Sequence, residues 1–306
     1  MKPDRNTPCP CGSTLKTKKC CHKGHRWLKE PTILTSRQPK SGYQHSRCYA
    51  NTLNDCDSQI TREHYLSNNL LADFEENNTV KIFGLPWQEK QSYDLLSRKS
   101  MVSKILCKHH NESLSPFDVE IAYFYRAIVE FDEDFNSEQP STDFKIIAGE
   151  NLERWMLKTV CAFIASQQFH RNGEKSKLEL KSIYNEILYE GRPFPSGWGL
   201  YFDMEGNKKT QKYRSFSFVP FEANGELKGI SFYIANFKFN FLLGEPDAPD
   251  YWGIYHPSSI VFKQGEIKKE LLITWRDDNY HKSTILFNRI GTKQGEPANW
   301  EEWMKK

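Results

Sequence analysis

The spacing of apolar residues divides the chain into stretches of different texture. Residues 24–47 hold Pro31, Pro39, Gly42 and many basic side chains, with no period of 2 or 3.6, and read as a linker. Residues 59–64 read as a strand with Ile60 facing inward. Residues 65–100 predict an irregular insertion with one helical patch near 70–74, and residues 100–106 lead back out of it. A helix start follows: Ser115 suits the N-cap, Pro116 the first helical position and Asp118 the first turn. Val119, Ala122, Tyr123, Ile128 and Phe131 then mark its apolar face.

The acidic, turn-rich run from Asp132 to Pro140 places a boundary near 137–141. Within 142–170 a long helix is expected from about Glu150, because Leu152, Trp155, Met156, Val160, Phe163 and Ile164 recur at helical spacing. That stripe reads as core, and Cys161 falls within it. Asp143, Glu150, Glu153 and Lys158 read as charges on the open face. A second helix is expected over 177–189, with Leu180, Ile183, Ile187 and Leu188 inward. From Gly191 the rhythm becomes that of strands, over 200–204, 213–221, 229–243, 259–263, 270–276 and 284–289, with hairpin turns at Gly225 and Gly265. His256 and His281 read as loop residues. Helices followed by an antiparallel sheet make the expected fold class α+β. The expected division is 1–24, a small zinc motif; 25–47, a basic linker; 48–137, a zinc module; and 138–306, a mixed helical and antiparallel β domain.

Charge changes this picture at one end only. Residues 1–47 carry eleven Lys and Arg against Asp4 and Glu30, so an overall net charge of +3 leaves the remainder acidic. Such an arm suits a polyanion, or is a solvated tail; a nucleic acid would be held through its phosphates. Trp27 and Tyr43 are placed either to stack on bases or to pack on a neighbouring domain. No apolar run is long enough to span a bilayer, and the first residues lack the apolar region of a secretory signal. The expectation is a cytoplasmic protein with no membrane partner. In a reducing compartment clustered cysteines read as metal ligands rather than disulfides.

Seven of the eight cysteines precede residue 108. Cys9, Cys11, Cys20 and Cys21 lie within thirteen residues, and Gly12 permits the tight turn between the pairs. His22 is an alternative to Cys21 as fourth donor. The run Cys9-Pro10-Cys11-Gly12-Ser13, then Lys16, Lys18 and Lys19, then Cys20-Cys21, resembles the SEC-C motif. That resemblance implies a zinc site completed by Cys21, and a protein or nucleic-acid contact rather than catalysis.

Cys48, Cys56, Cys107 and His110 supply a second set of four donors. Between and beside them stand Glu63-His64 and Asn111. The order zinc turn, strand, ligand pair, helix is that of a treble clef, and the residues on it resemble the HNH endonuclease family. Seven residues separate Cys48 from Cys56, where the family has a shorter knuckle. The resemblance implies His64 as the general base that activates water, and Asn111 with Glu63 at a Mg²⁺ or Mn²⁺ site. Glu63, His109, Glu112 and Asp118 are all candidates for a third metal-site residue. The function expected is a zinc-stabilised, divalent-metal-dependent endonuclease acting on nucleic acid, DNA before RNA. The alternative is a non-catalytic zinc adaptor for nucleic acid or protein. Two structural zinc ions are expected in either case.

Overall fold

A computed structural model describes residues 4–83, 93–171, 174–175, 178–203, 216–223, 225–235, 237–277 and 283–288. The N-terminal stretch holds the two-residue strands β1 (His22–Lys23) and β2 (Arg26–Trp27). Next come β3 (Ile60–His64), α1 (Asn68–Phe74), β4 (Val80–Phe83), β5 (Tyr93–Leu96) and β6 (Val102–Cys107). Then follow α2 (Lys108–Ser113), α3 (Ser115–Phe135), β7 (Asp143–Ala148) and α4 (Gly149–Ala165). A small hairpin, β8 (His170–Arg171) with β9 (Glu174–Lys175), precedes α5 (Ser182–Tyr189). The remaining strands are β10 (Gly199–Phe202), β11 (Phe216–Ala223), β12 (Glu226–Ile234), β13 (Phe237–Leu242), β14 (Ile254–Tyr255), β15 (Ser259–Gln264), β16 (Ile267–Thr274) and β17 (Thr284–Asn288).

The class is α+β, as the sequence predicts. Two sheets dominate. Seven strands run in the order β14-β10-β13-β12-β11-β4-β5, and four in the order β17-β15-β16-β7. They are mixed rather than purely antiparallel: β4 joins β11 in parallel, β15 joins β17, and β7 joins β16. Within the expected insertion, β4 and β5 pair as antiparallel strands that extend a sheet whose other strands follow residue 198. The expected single strand over 229–243 is the hairpin β12–β13, turning at Ala235, which adopts a positive φ of 50°. β7 was not anticipated from the sequence. α5 starts at Ser182, five residues later than expected. Met204, residues 213–215 and His281 lie outside the described residues.

α3 begins one residue before the expected first position Pro116, with Ser115 as its first residue and Leu114 at the cap, a shift ordinary for helix ends. Its buried face carries Phe117, Ile121, Phe124, Tyr125, Ile128 and Phe131. Val119, assigned above to that face, is 58% exposed. The reason is angular: at 3.6 residues per turn, a stripe through 117, 121, 124 and 128 leaves position 119 on the opposite side.

The larger departure is α4. Its apolar stripe is buried as expected, and so are most of its charges. Glu153, Arg154 and Lys158 each lie at 3% exposure or less. A helix enclosed on all sides has no open face, so each polar side chain has to find a partner within the protein. Asn151 accepts a hydrogen bond from the backbone N–H of Thr32. Glu153 bonds His256 at 2.7 Å and accepts the N–H of Leu200. Arg154 donates to the carbonyls of Glu150 and Ile187. Lys158 reaches Glu63 and Asp118. One helix thus contacts Thr32 of the strap, Glu63 of β3, Asp118 of α3 and, through Leu200 and His256, the C-terminal strands. The apolar core runs unbroken from Cys48 to Ile285, across the expected boundary near 137–141.

His256 lies in the connection between β14 and β15, as expected of a loop residue, but it is not solvated. It is buried at a positive φ of 45°, with its ring stacked between Tyr255 and Trp275 at 3.8 Å from each.

The stretch at 24–47 lies along the body. Lys29 exchanges hydrogen bonds with Thr274, Ser41 donates to the Cys56 carbonyl, and the Cys56 N–H donates to Tyr43. Three of its cations form ion pairs: Lys29 with Glu120, Arg37 with Asp57 and Lys40 with Glu190. Trp27 packs edge-on against Phe144 at 5.2 Å, and Tyr43 lies exposed beside His45.

Candidate functional site

The first cysteine cluster sits on the edge of the four-stranded sheet. Strand β7 is an outer strand there, and the N–H of its Ile146 donates to the carbonyl of Pro10. Tyr123 of α3 donates its hydroxyl to the same carbonyl at 2.5 Å. Gly12, at φ +82°, lets the turn lie against the Tyr123 ring, where a Cβ would come within 2.8 Å. The sulfurs of Cys9, Cys11, Cys20 and Cys21 all lie within 4.8 Å of one another. Cys11–Cys20 measures 3.5 Å and Cys20–Cys21 3.7 Å, near the ~3.8 Å edge of a thiolate tetrahedron with ~2.3 Å metal–sulfur bonds. Cys21 completes this set of four sulfurs, while His22 packs edge-on against Trp27 at 4.9 Å. Ser13 approaches the Cys20 sulfur at 3.3 Å. Hydrogen bonding from Cys21 brings the Cys11 thiol down to about 4.

The second cluster joins the turn at 48–56 to the start of α2. Nδ1 of His110 lies 3.4 Å from Cys48 Sγ, 3.8 Å from Cys56 Sγ and 3.1 Å from Cys107 Sγ. All four groups are buried. The Cys107 thiol is brought down to about 3, first by the hydrogen bond from Cys48 and further by His110, while Cys48 is pushed up by its bond to Cys107 and by burial. The spacing fits a closed tetrahedral site with four protein donors, able to hold a zinc ion.

Sequence reasoning missed Asp55. Its Oδ1 lies 2.8 Å from His110 Nε2, and both side chains are 1% exposed. A carboxylate this close to the far nitrogen favours Nδ1 as the atom turned toward the sulfurs, through an electrostatic contact that is not aligned as a hydrogen bond. An acid directly before a ligand cysteine was the available signal. His109, a candidate third metal-site residue, lies 3.6 Å from the other Asp55 oxygen.

His64 ends β3, and its pairing across to Val102 of β6 closes a two-stranded ribbon beside α2. Burial holds the imidazole below its ordinary range, with Lys158 pushing the same way and Asp118 opposing. Asn111 of α2 donates its amide to the Thr61 hydroxyl at 2.9 Å and to the Arg62 carbonyl at 3.3 Å. That bond ties α2, which carries the last ligand His110, to the strand that ends in His64. Glu63 faces the other way. It is 3% exposed, and its Oε1 lies 2.9 Å from Lys158 Nζ. Asp118 takes the same ammonium at 2.6 and 2.7 Å, and the two carboxylates outweigh desolvation to hold Lys158 charged. Glu63 and Asp118 are thus engaged by an internal cation instead of standing free for a divalent ion. Glu112 is exposed and lies 3.9 Å from Lys108.

The chain matches no family model, no curated protein and no solved structure. The SEC-C and HNH likenesses rest on the residues named above. No helix among the described residues is long and apolar enough to cross a membrane.

Proposed function

We propose that the chain is a zinc-stapled, HNH-like hydrolase of nucleic-acid phosphodiesters, with His64 as general base. The supporting observation is the position of His64: a partly buried imidazole, kept neutral by burial, on a strand that Asn111 and the second cysteine cluster fasten to α2. A neutral imidazole can take the proton of a water as its oxygen bonds to phosphorus and the opposite phosphorus–oxygen bond breaks. Asn111 acts as a positioning residue through the Arg62 carbonyl. Zinc, at both clusters, supplies cross-linking: four protein donors leave no open position for a water. The setting is cytoplasmic, and DNA is the first substrate to try.

The test is plasmid nicking by zinc-loaded protein with Mg²⁺ or Mn²⁺. His64→Ala should lose on the order of a hundredfold or more in rate. Cleavage retained by that variant would remove His64 from the role. A second reading, a non-catalytic zinc adaptor, is favoured by the engagement of Glu63 with Lys158, and wild type that cuts neither DNA nor RNA would support it over the hydrolase.

A further inference from the structure

The ribbon that carries His64 has two unlike faces. Side chains alternate along a strand, so Glu63 points inward to Lys158 while Arg62 and His64 share the outer face. The ladder slips between Thr61 and Glu63: Thr61 pairs with Leu106, but Glu63 pairs with Ser103. One extra residue of β6 is therefore accommodated opposite Arg62, and the two residues there are Lys104 and Ile105. Ile105 is buried and Lys104 is exposed. Lys104, exposed at the bulge opposite Arg62, adds a second cation at this point of the ribbon. Neither Arg62 nor Lys104 has an ion pair or side-chain hydrogen bond among the described residues. By contrast, three cations of the basic strap are matched to carboxylates of the body. The peptide of Arg62 is held in place by Asn111.

We propose that Arg62 and Lys104 form a phosphate-gripping surface that seats a nucleic-acid backbone over His64. The proposal rests on the hydrolase reading for the role of His64, but its own content is binding. An Arg fork and a Lys point charge, unpaired and adjacent on an open ribbon, suit successive phosphates of one strand. The contact carries no base recognition, so affinity is sequence-independent and salt-sensitive.

The experiment is fluorescence anisotropy of labelled duplex DNA, single-stranded DNA and RNA against zinc-loaded full-length protein, without Mg²⁺ or Mn²⁺, over a salt series. The variants are R62Q/K104Q and the charge-keeping R62K/K104R. The first should bind on the order of tenfold more weakly, with a salt slope shallower by about two, while the second stays near wild type. Circular dichroism and zinc content should match wild type in both. Equal affinity and slope for R62Q/K104Q, or no binding by wild type to any of the three, would overturn the proposal. Binding that is lost in R62Q/K104Q, with cleavage by no form of the protein, would uphold it and sink the hydrolase. Cleavage that persists with binding unaffected by R62Q/K104Q would do the reverse.

Discussion

Lys158 and Glu63 meet at 2.9 Å, both almost wholly out of solvent, although ninety-five positions separate them in the chain. Asp118 completes the group from α3. Taking one partner from a buried charge set leaves the others desolvated and unmatched. Lys158→Met should therefore lower stability by about 3–5 kcal/mol, far more than loss of an exposed lysine. Urea unfolding followed by circular dichroism measures it. The triple variant Lys158→Met, Glu63→Gln, Asp118→Asn should recover part of the loss, since no uncompensated charge remains. A drop below about 1 kcal/mol for Lys158→Met would mean that the ammonium finds other solvation.

Metal analysis of purified protein should give about two zinc ions per chain, one for each set of four donors. Ser at both Cys9 and Cys11 should remove one and leave the far-ultraviolet spectrum close to wild type, because the main core begins at Cys48. The knuckle does cover the outer strand β7 through Pro10, so the same variant should associate more readily at high concentration. Collapse of the entire fold would contradict this.

Asp55→Asn keeps the shape but replaces a carboxylate on His110 Nε2 with an amide. The second zinc should then be captured by a competing chelator about 10–100-fold more readily, with the first unaffected. Identical release of both ions in wild type and variant would leave Asp55 no part in fixing the ligand.

His64 should titrate below its ordinary value near 6.5, since burial disfavours the charged ring. The sign for stability follows. A histidine whose folded pKa is depressed contributes its full stabilisation above the unfolded pKa and loses it as pH falls through the folded value. His64→Gln should therefore flatten that part of the acid limb of the stability curve. Nuclear magnetic resonance titration of the ring gives the pKa directly; a value at or above 6.5 would contradict the burial argument.

The two sets of Cys and His donors were legible because clustered residues of these types suit a metal ion, and their ligand atoms converge within each set. Helix α3 was legible from its start signal, but Val119 shows that one apolar residue does not fix the orientation of a face. The charges of α4 misled for a physical reason. Glu153 and Lys158 look like the polar side of an amphipathic helix, and only their partners His256, Glu63 and Asp118, from distant segments, make burial tolerable. The β12–β13 turn was invisible because Ala235 takes a left-handed conformation that sequence assigns to glycine or asparagine. Asp55 was hidden because its partner His110 lies more than fifty positions away in the chain.

The pairing of β4 with β11 makes the two halves of this polypeptide hostages to each other. A scissor cut in the loop after α3 would strand the early hairpin without its neighbour and bare the flank of a late one. Anyone wishing to borrow the histidine ribbon for another scaffold must carry the later strands along with it.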